Sequence, residues 1–437
     1  MAADDVLIVR LDDGKGMRRE LELRGMKLIQ RSVVERAEPT ESSTRFENFK
    51  EAKEQFEFLL GRYVKQGFKE VSRSNGQVAP VEQGSVASHP EYESACLASP
   101  DDVKPWQIYA DWLQERGDVR GELAALFLDG QDGEAWSRLE VERDSILGPY
   151  SERELGDFEV KHGFITDATL KCASSDSETD LRALTETFLG RPIARFVSEL
   201  KFGLADFDRG NDWTEVVQVI CKAVQAKQLR RLEFSEFDHQ DWELPDIGYG
   251  DFSPLWSSLP SLEHFKLRAG GDGGVLGRIR HPRLKTFIRE ADSLTSEEAA
   301  EILNANCPAL ERLELWTGHD SLATTTSDQF AEVLGGKRFP RLTHLGVRHS
   351  ELTVDLVRQL GNSQLLPRLR SLDLSNGVLM DEHADLLIGL APKFAHLELN
   401  LSANFFSERL EEVRKALPRA VLKDQRQASE RYREAGE

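Results

Sequence analysis

Arg312, Glu314 and Trp316 lie in the phrase LERLELW (310–316), and His344 and Arg348 lie in the matching phrase LTHLGVR (342–348). Arginine and tryptophan dominate the binding energy of protein interfaces, so this set predicts recognition chemistry. Arg231, Lys266 and Arg268 occupy equivalent places in earlier phrases and extend the candidate surface. Two other groupings look reactive and are read as structural. Asp111, Glu115, Arg120 and Glu122 crowd the stretch YADWLQERGDVRGE (109–122), where they fit an ion network between two helices. The run GGDGG (270–274) looks like a phosphate loop but lacks the terminal Lys-Ser/Thr, which leaves a mobile turn. The chain has no G-x-x-x-x-G-K-[ST], H-E-x-x-H or G-x-S-x-G motif. Its histidines are dispersed, and Cys96, Cys172, Cys221 and Cys307 form no C-x-x-C. Four reduced thiols are expected, with no structural zinc, cofactor or catalytic residue.

The elements that position the candidate surface are repeats. The pattern L-x-x-L-x-L, with aromatic or Val substitutions, recurs as VSELKF, LRRLEF, LEHFKL, LKTFIR, LERLEL, LTHLGV, LRSLDL and FAHLEL from Val197 to Leu399. Its second anchors are Leu200, Leu232, Phe265, Phe287, Leu313, Leu345, Leu372 and Leu397. LKTFIR is the weakest unit, because Arg289 falls where an apolar residue belongs. Between the phrases, stretches such as SEEAAEILNANC (296–307) and TVDLVRQLGNS (353–363) carry apolar residues at helical spacing. One strand and one helix cannot bury their apolar faces alone, so stacked units share a continuous core. Alternation along a strand then turns the residues between the anchors away from that core. Trp316 is expected either on this open face as a binding plate or covered by the loop at Thr317 to Ser321.

These phrases resemble the leucine-rich repeat in its variant with a full helix per unit, as found in bacterial proteins. The resemblance implies an α/β solenoid over 161–422, with a parallel curved sheet and helices outside. The 109–122 stretch resembles the repeat-companion module of multi-repeat bacterial proteins, so 91–160 is expected to be a helical hairpin region. Ser99 to Asp102 cap its first long helix, and Gly117-Asp118 make the turn. In residues 1–71, strands RELELRG and KLIQRSVVER precede a helix from about Asn48, with Ala52, Phe56, Leu59, Leu60 and Tyr63 on one face. This order, closing in K-x-G-F at Phe68, resembles the WGR domain. Ser32, Val33 and Val34 hold the place of the signature Trp-Gly-Arg, which removes the residues that support nucleic-acid contact in that family. A small α+β docking domain is the expectation. Residues 72–90 read as a Ser/Gly/Pro-rich linker and 423–437 as a polar tail.

A net charge of −20 repels a phosphate backbone, so nucleic acid is an unlikely partner. No apolar run is long enough for a membrane helix, and the acidic start MAADD does not suit a signal peptide. The sequence therefore predicts a cytoplasmic, non-catalytic scaffold that binds a partner protein through the concave repeat face. A nucleic-acid-linked or transcription-type regulator acting through the WGR-like domain is the alternative, and an enzyme with unrecognised chemistry is the third reading.

Overall fold

The computed structural model describes residues 5–12, 17–24, 27–34, 40–45, 49–65, 68–77, 88–148, 155–172, 180–206, 210–237, 244–271, 273–318 and 323–427. The chain divides between Thr166 and Asp167 into two compact units, with residues 190–196 belonging to the first.

The first unit begins with strands β1 (Asp5–Asp12), β2 (Met17–Arg24), β3 (Lys27–Val34) and β4 (Thr40–Arg45), then helix α1 (Phe49–Lys65) and strand β5 (Lys69–Gln77). The strands form one sheet in the order β4-β3-β2-β1-β5. Val9, Leu11, Leu21, Leu23 and Leu28 share a buried core with Ala52, Phe56, Leu59, Leu60, Tyr63 and Phe68. The helical face read from the sequence is therefore the packed face. The linker expected from residue 72 is displaced: Ser72–Gln77 pairs with β1 as part of β5. Polar residues such as Ser72 and Ser74 suit an edge strand, and composition alone does not separate such a strand from a linker. The rest of the expected linker, 78–87, lies outside the described residues.

Helices α2 (Pro90–Ala98), α3 (Val103–Gln114), α4 (Val119–Leu128), α5 (Asp132–Val141) and α6 (Arg143–Ile146) follow. Asp102 and Asp118 cap α3 and α4 through the backbone N–H groups of Lys104 and Arg120. Gly117 supplies the left-handed turn at φ 67°. Trp106, Tyr109, Ala110 and Leu113 form the buried stripe, with Phe164 and Phe196 in the same cluster. The charges of this module are structural pairs: Arg120 binds Asp118, and Glu93 binds Arg195 and accepts the Tyr109 hydroxyl.

Strands β6 (Leu155–Lys161) and β7 (Phe164–Leu170) open a second sheet, which continues through β8 (Glu199–Phe202) and β9 (Arg231–Phe234). The short β10 (Gly250–Asp251) pairs aside from it with β12 (Gly274–Val275). The main sheet resumes with β11 (His264–Arg268), β13 (Thr286–Glu290), β14 (Arg312–Gly318), β15 (His344–Ser350), β16 (Ser371–Asp373) and β17 (Glu398–Asn400). Ten strands lie in chain order, and every pairing from β7 to β17 is parallel. Helices α7 (Leu181–Gly190), α8 (Thr214–Lys222), α9 (Leu255–Ser258), α10 (Ser296–Leu303), α11 (Ala331–Leu334), α12 (Thr353–Leu360), α13 (Ala384–Phe394) and α14 (Leu410–Ala416) fall between and after the strands.

The anchors Leu200, Leu232, Phe265, Phe287, Leu313, Leu345 and Leu372 face one another strand to strand and are buried. The last unit is shifted by two residues: Leu399, not Leu397, pairs with Leu372. Helix α13 runs through Pro392 to Phe394, so the phrase that begins at Phe394 starts on a helix. The sheet is also not curled, where a full helix per repeat predicts curvature. Curvature needs an outer layer wider than the strand spacing of about 4.8 Å, and packed helices supply about 8–10 Å. Helix α9 has only four residues, and the four of α11 continue a 3-10 turn at Ser327–Phe330, so not every unit carries a full α-helix on its outer side.

Two further expectations change. Gly270, Gly271, Gly273 and Gly274 lie in close-packed backbone where a mobile turn was expected: a Cβ on Gly271 would lie 1.3 Å from the Ser293 carbonyl oxygen. The tail expected from 423 is tied down at its start. Ala403 N–H donates to Lys423 O, and Arg426 N–H to Asn404 O, so this strap continues past the last strand.

Candidate functional site

The open face of the second sheet carries its charges in clusters, each built on a carboxylate. Glu233 on β9 accepts from Arg231 at 2.6 Å and lies 2.9 Å from His264. Glu290 on β13 lies 3.1 Å from Lys266 and 3.9 Å from Arg268. Glu314 on β14 accepts from Arg312 at 2.6 Å and Arg348 at 2.8 Å, and His344 stands 3.7 Å away. The eight sequence-predicted residues therefore do not form one site. Arg312, Glu314, Trp316, His344 and Arg348 come together, whereas Lys266 with Arg268 and Arg231 belong to separate clusters.

The Glu314 cluster is set by register. Glu314 pairs with Gly346, and Trp316 with Arg348. A Cβ at Gly346 would lie 2.8 Å from Glu314 Cγ, so the missing side chain opens the space over which Glu314 leans. Burial by itself raises the Glu314 pKa, but the nearby His344 ring and the bonds from Arg348 and Arg312 outweigh it and hold the carboxyl far below its usual range. Glu233 behaves in the same way: its His264 and Arg231 contacts overcome burial and bring it to about 2. Carboxylates this acidic are weak bases at neutral pH and poor proton reservoirs, so their chemistry is to hold cations in place.

Arg348 is held from three sides. It donates to Glu314 and to Ser375 Oγ at 3.0 Å, and its Cζ lies 4.9 Å from the centroid of the Trp316 ring. Trp316 itself is half-buried, between the fully exposed and fully covered extremes. Its indole N–H is enclosed and has no hydrogen-bond partner among the described residues. The Thr317 hydroxyl donates to Ser350 Oγ, while residues 319–321 of the loop that the sequence offered as a cover lie outside the described residues.

A second feature adjoins this cluster and was missed in the sequence. A cleft of about 350 Å³ opens at the end of the sheet between His344, Ser371, Asp373, Glu398, Asn400 and Arg419. The two-residue shift of the last unit concealed it, because register from Leu397 misplaces the side chains of β17. Glu290 was also missed, because an arginine at the preceding anchor position made that strand look irregular.

The four cysteines form no disulfide with one another, and Cys96, Cys172 and Cys307 are buried. Burial, assisted by nearby Glu93, pushes the Cys96 thiol up to about 12, and burial pushes Cys307 to about 11, which makes both poor nucleophiles. Among the described residues no His, Cys, Asp or Glu grouping is suited to a metal ion, and no helix is long and apolar enough to cross a membrane.

No family model matches the chain. Among solved structures, a Bacteroides fragilis protein determined by a structural genomics consortium is similar over 97% of this chain and 98% of its own length. The two share 18% sequence identity with a TM-score of 0.52, so the likeness is one of fold.

Proposed function

We propose that this protein is a non-catalytic scaffold of the leucine-rich-repeat type, and that a partner protein docks on the open face of its second sheet around Trp316. The observation that carries this reading is the Trp316–Arg348 pair: a half-buried indole beside a guanidinium fixed by Glu314 and Ser375. An aromatic plate in a rim of preordered charges loses little side-chain entropy on binding, which suits a hot spot. The in-register stack of strand–helix units supports the repeat reading, because it brings residues far apart in sequence onto one flat, addressable face. The strongly depressed carboxylates favour binding over acid–base catalysis.

The test is affinity capture from the native cell with the full chain as bait, run beside a Trp316→Ala bait of equal thermal stability. The proposal expects a protein retained by the first and lost or strongly reduced on the second. Identical captures would remove Trp316 from the interface.

A further inference from the structure

Along the open face of the second sheet, charged side chains are tied to one another from Lys201 with Asp167 to Arg348 with Asp373. That lattice stops at the last strand. Glu398 on β17 is exposed, and its carboxylate has no ion-pair or hydrogen-bond partner among the described residues. Arg419, also exposed, makes one long contact, from Nη1 to the Ala395 carbonyl oxygen at 3.5 Å. Both line the 350 Å³ cleft. The backbone brings their segments together: Asn400 bridges Val421 in parallel, two residues beyond each of them. The two opposite charges nevertheless form no ion pair with each other.

The remaining polar groups of the cleft are preorganised. Asn400 donates to Asp373 Oδ2 at 3.0 Å, and the Ser375 N–H donates to Asp373 Oδ1 at 2.9 Å. The His344 ring sits 2.5 Å from Ser371 Oγ. Asp373 thus stands as a fixed carboxylate on the floor, with the unpaired Glu398 and Arg419 at the rim. The volume lies at the lower end of the range for small-molecule sites, about 300–1,000 Å³.

We infer that this cleft binds a small zwitterion, with its ammonium group received by Glu398 and Asp373 and its carboxylate by Arg419. A ligand of one charge would satisfy only one rim group and leave the other facing it unpaired. An ammonium–carboxylate ligand satisfies both, and a guanidinium suits a carboxylate through paired N–H donors. The cleft borders the Trp316 cluster through Asp373, 3.9 Å from Arg348, and through His344, so the tests are placed at Glu398 and Arg419, which make no ion pair or hydrogen bond with that cluster among the described residues.

The test is calorimetric titration of the full chain with glycine, β-alanine, 4-aminobutyrate and glycylglycine, against butylamine and butyrate as single-charge controls. At least one zwitterion should bind saturably and roughly tenfold more tightly than either control. Arg419→Gln should weaken that zwitterion about tenfold while leaving butylamine unchanged, and Glu398→Gln should do so while leaving butyrate unchanged. Both side chains are exposed, so the melting temperature of each variant should match the parent and confirm intact folding. Absence of saturable zwitterion binding up to about 10 mM, or binding unaffected by both substitutions, would overturn the inference.

Discussion

The second unit buries charge in two places to different ends. Inside the core of that unit, Arg289 on β13 is fully buried and binds Glu298 on α10 at 2.5 Å. Its other donors reach the carbonyl oxygens of Ala269, Glu290 and Gly270, and its guanidinium lies 5.0 Å from the Tyr249 ring. On the open face, Glu314 is almost as enclosed at 4% side-chain exposure, but its partners Arg312 and Arg348 remain 42% and 26% exposed. The core pair ties a strand to its helix, and its guanidinium has no exposed surface. The face cluster ties three strands together while its cations keep contact with solvent. The same chemistry specifies packing in one place and presents a surface in the other.

Breaking the core pair should give the largest effect. Glu298→Ala removes the bonded countercharge of a buried guanidinium, leaving only Asp292 nearby, and is expected to cost about 3–5 kcal/mol in urea unfolding. A loss below about 1 kcal/mol would mean that water reaches Arg289 and that the contrast fails. Glu314→Gln should cost less, about 1–3 kcal/mol, because its released cations can hydrate. Equal losses for the two substitutions would erase the distinction.

Acid sharpens the comparison on the face. Glu233 titrates near 2 in the fold against an ordinary 4.5. As pH falls below about 4.5, the unfolded chain takes up this proton before the folded chain does. The stabilisation is complete above that value and declines toward pH 2. Glu233→Gln should therefore flatten the urea midpoint over this window, and a slope unchanged from the parent would assign the acid sensitivity elsewhere. The smallest effect is expected from Arg231→Ala: its 41% exposed side chain should contribute no more than about 0.5 kcal/mol.

The legibility of these regions in sequence differs for physical reasons. The anchors from Leu200 to Leu372 were readable because apolar burial imposes a strict period. The helix of the first domain and the capped turn at Gly117-Asp118 were readable for the same kind of local reason. Arg289 reads as a defect in the pattern because its partner Glu298 lies on the following helix, and only packing shows that the pair is satisfied. The last anchor was misplaced because a helix containing Pro392 consumed the start of the phrase. The gathering of cations around Glu314 depends on Gly346 opposite it, a cross-strand fact that one strand's sequence does not contain. The Glu398–Arg419 cleft depends on the segment after α14, where Val421 bridges Asn400, and that segment carries no repeat phrase of its own.

The central claim is that Trp316 works at a surface and does not hold the fold. Its most direct test is a paired measurement on Trp316→Ala: titration against the captured partner, and thermal melting of the same preparation. The account predicts a loss of about 2 kcal/mol in binding, roughly thirtyfold, with the melting temperature nearly unchanged. Partner affinity equal to the parent's, or a fall in affinity that accompanies a drop of several degrees in melting temperature, would contradict it.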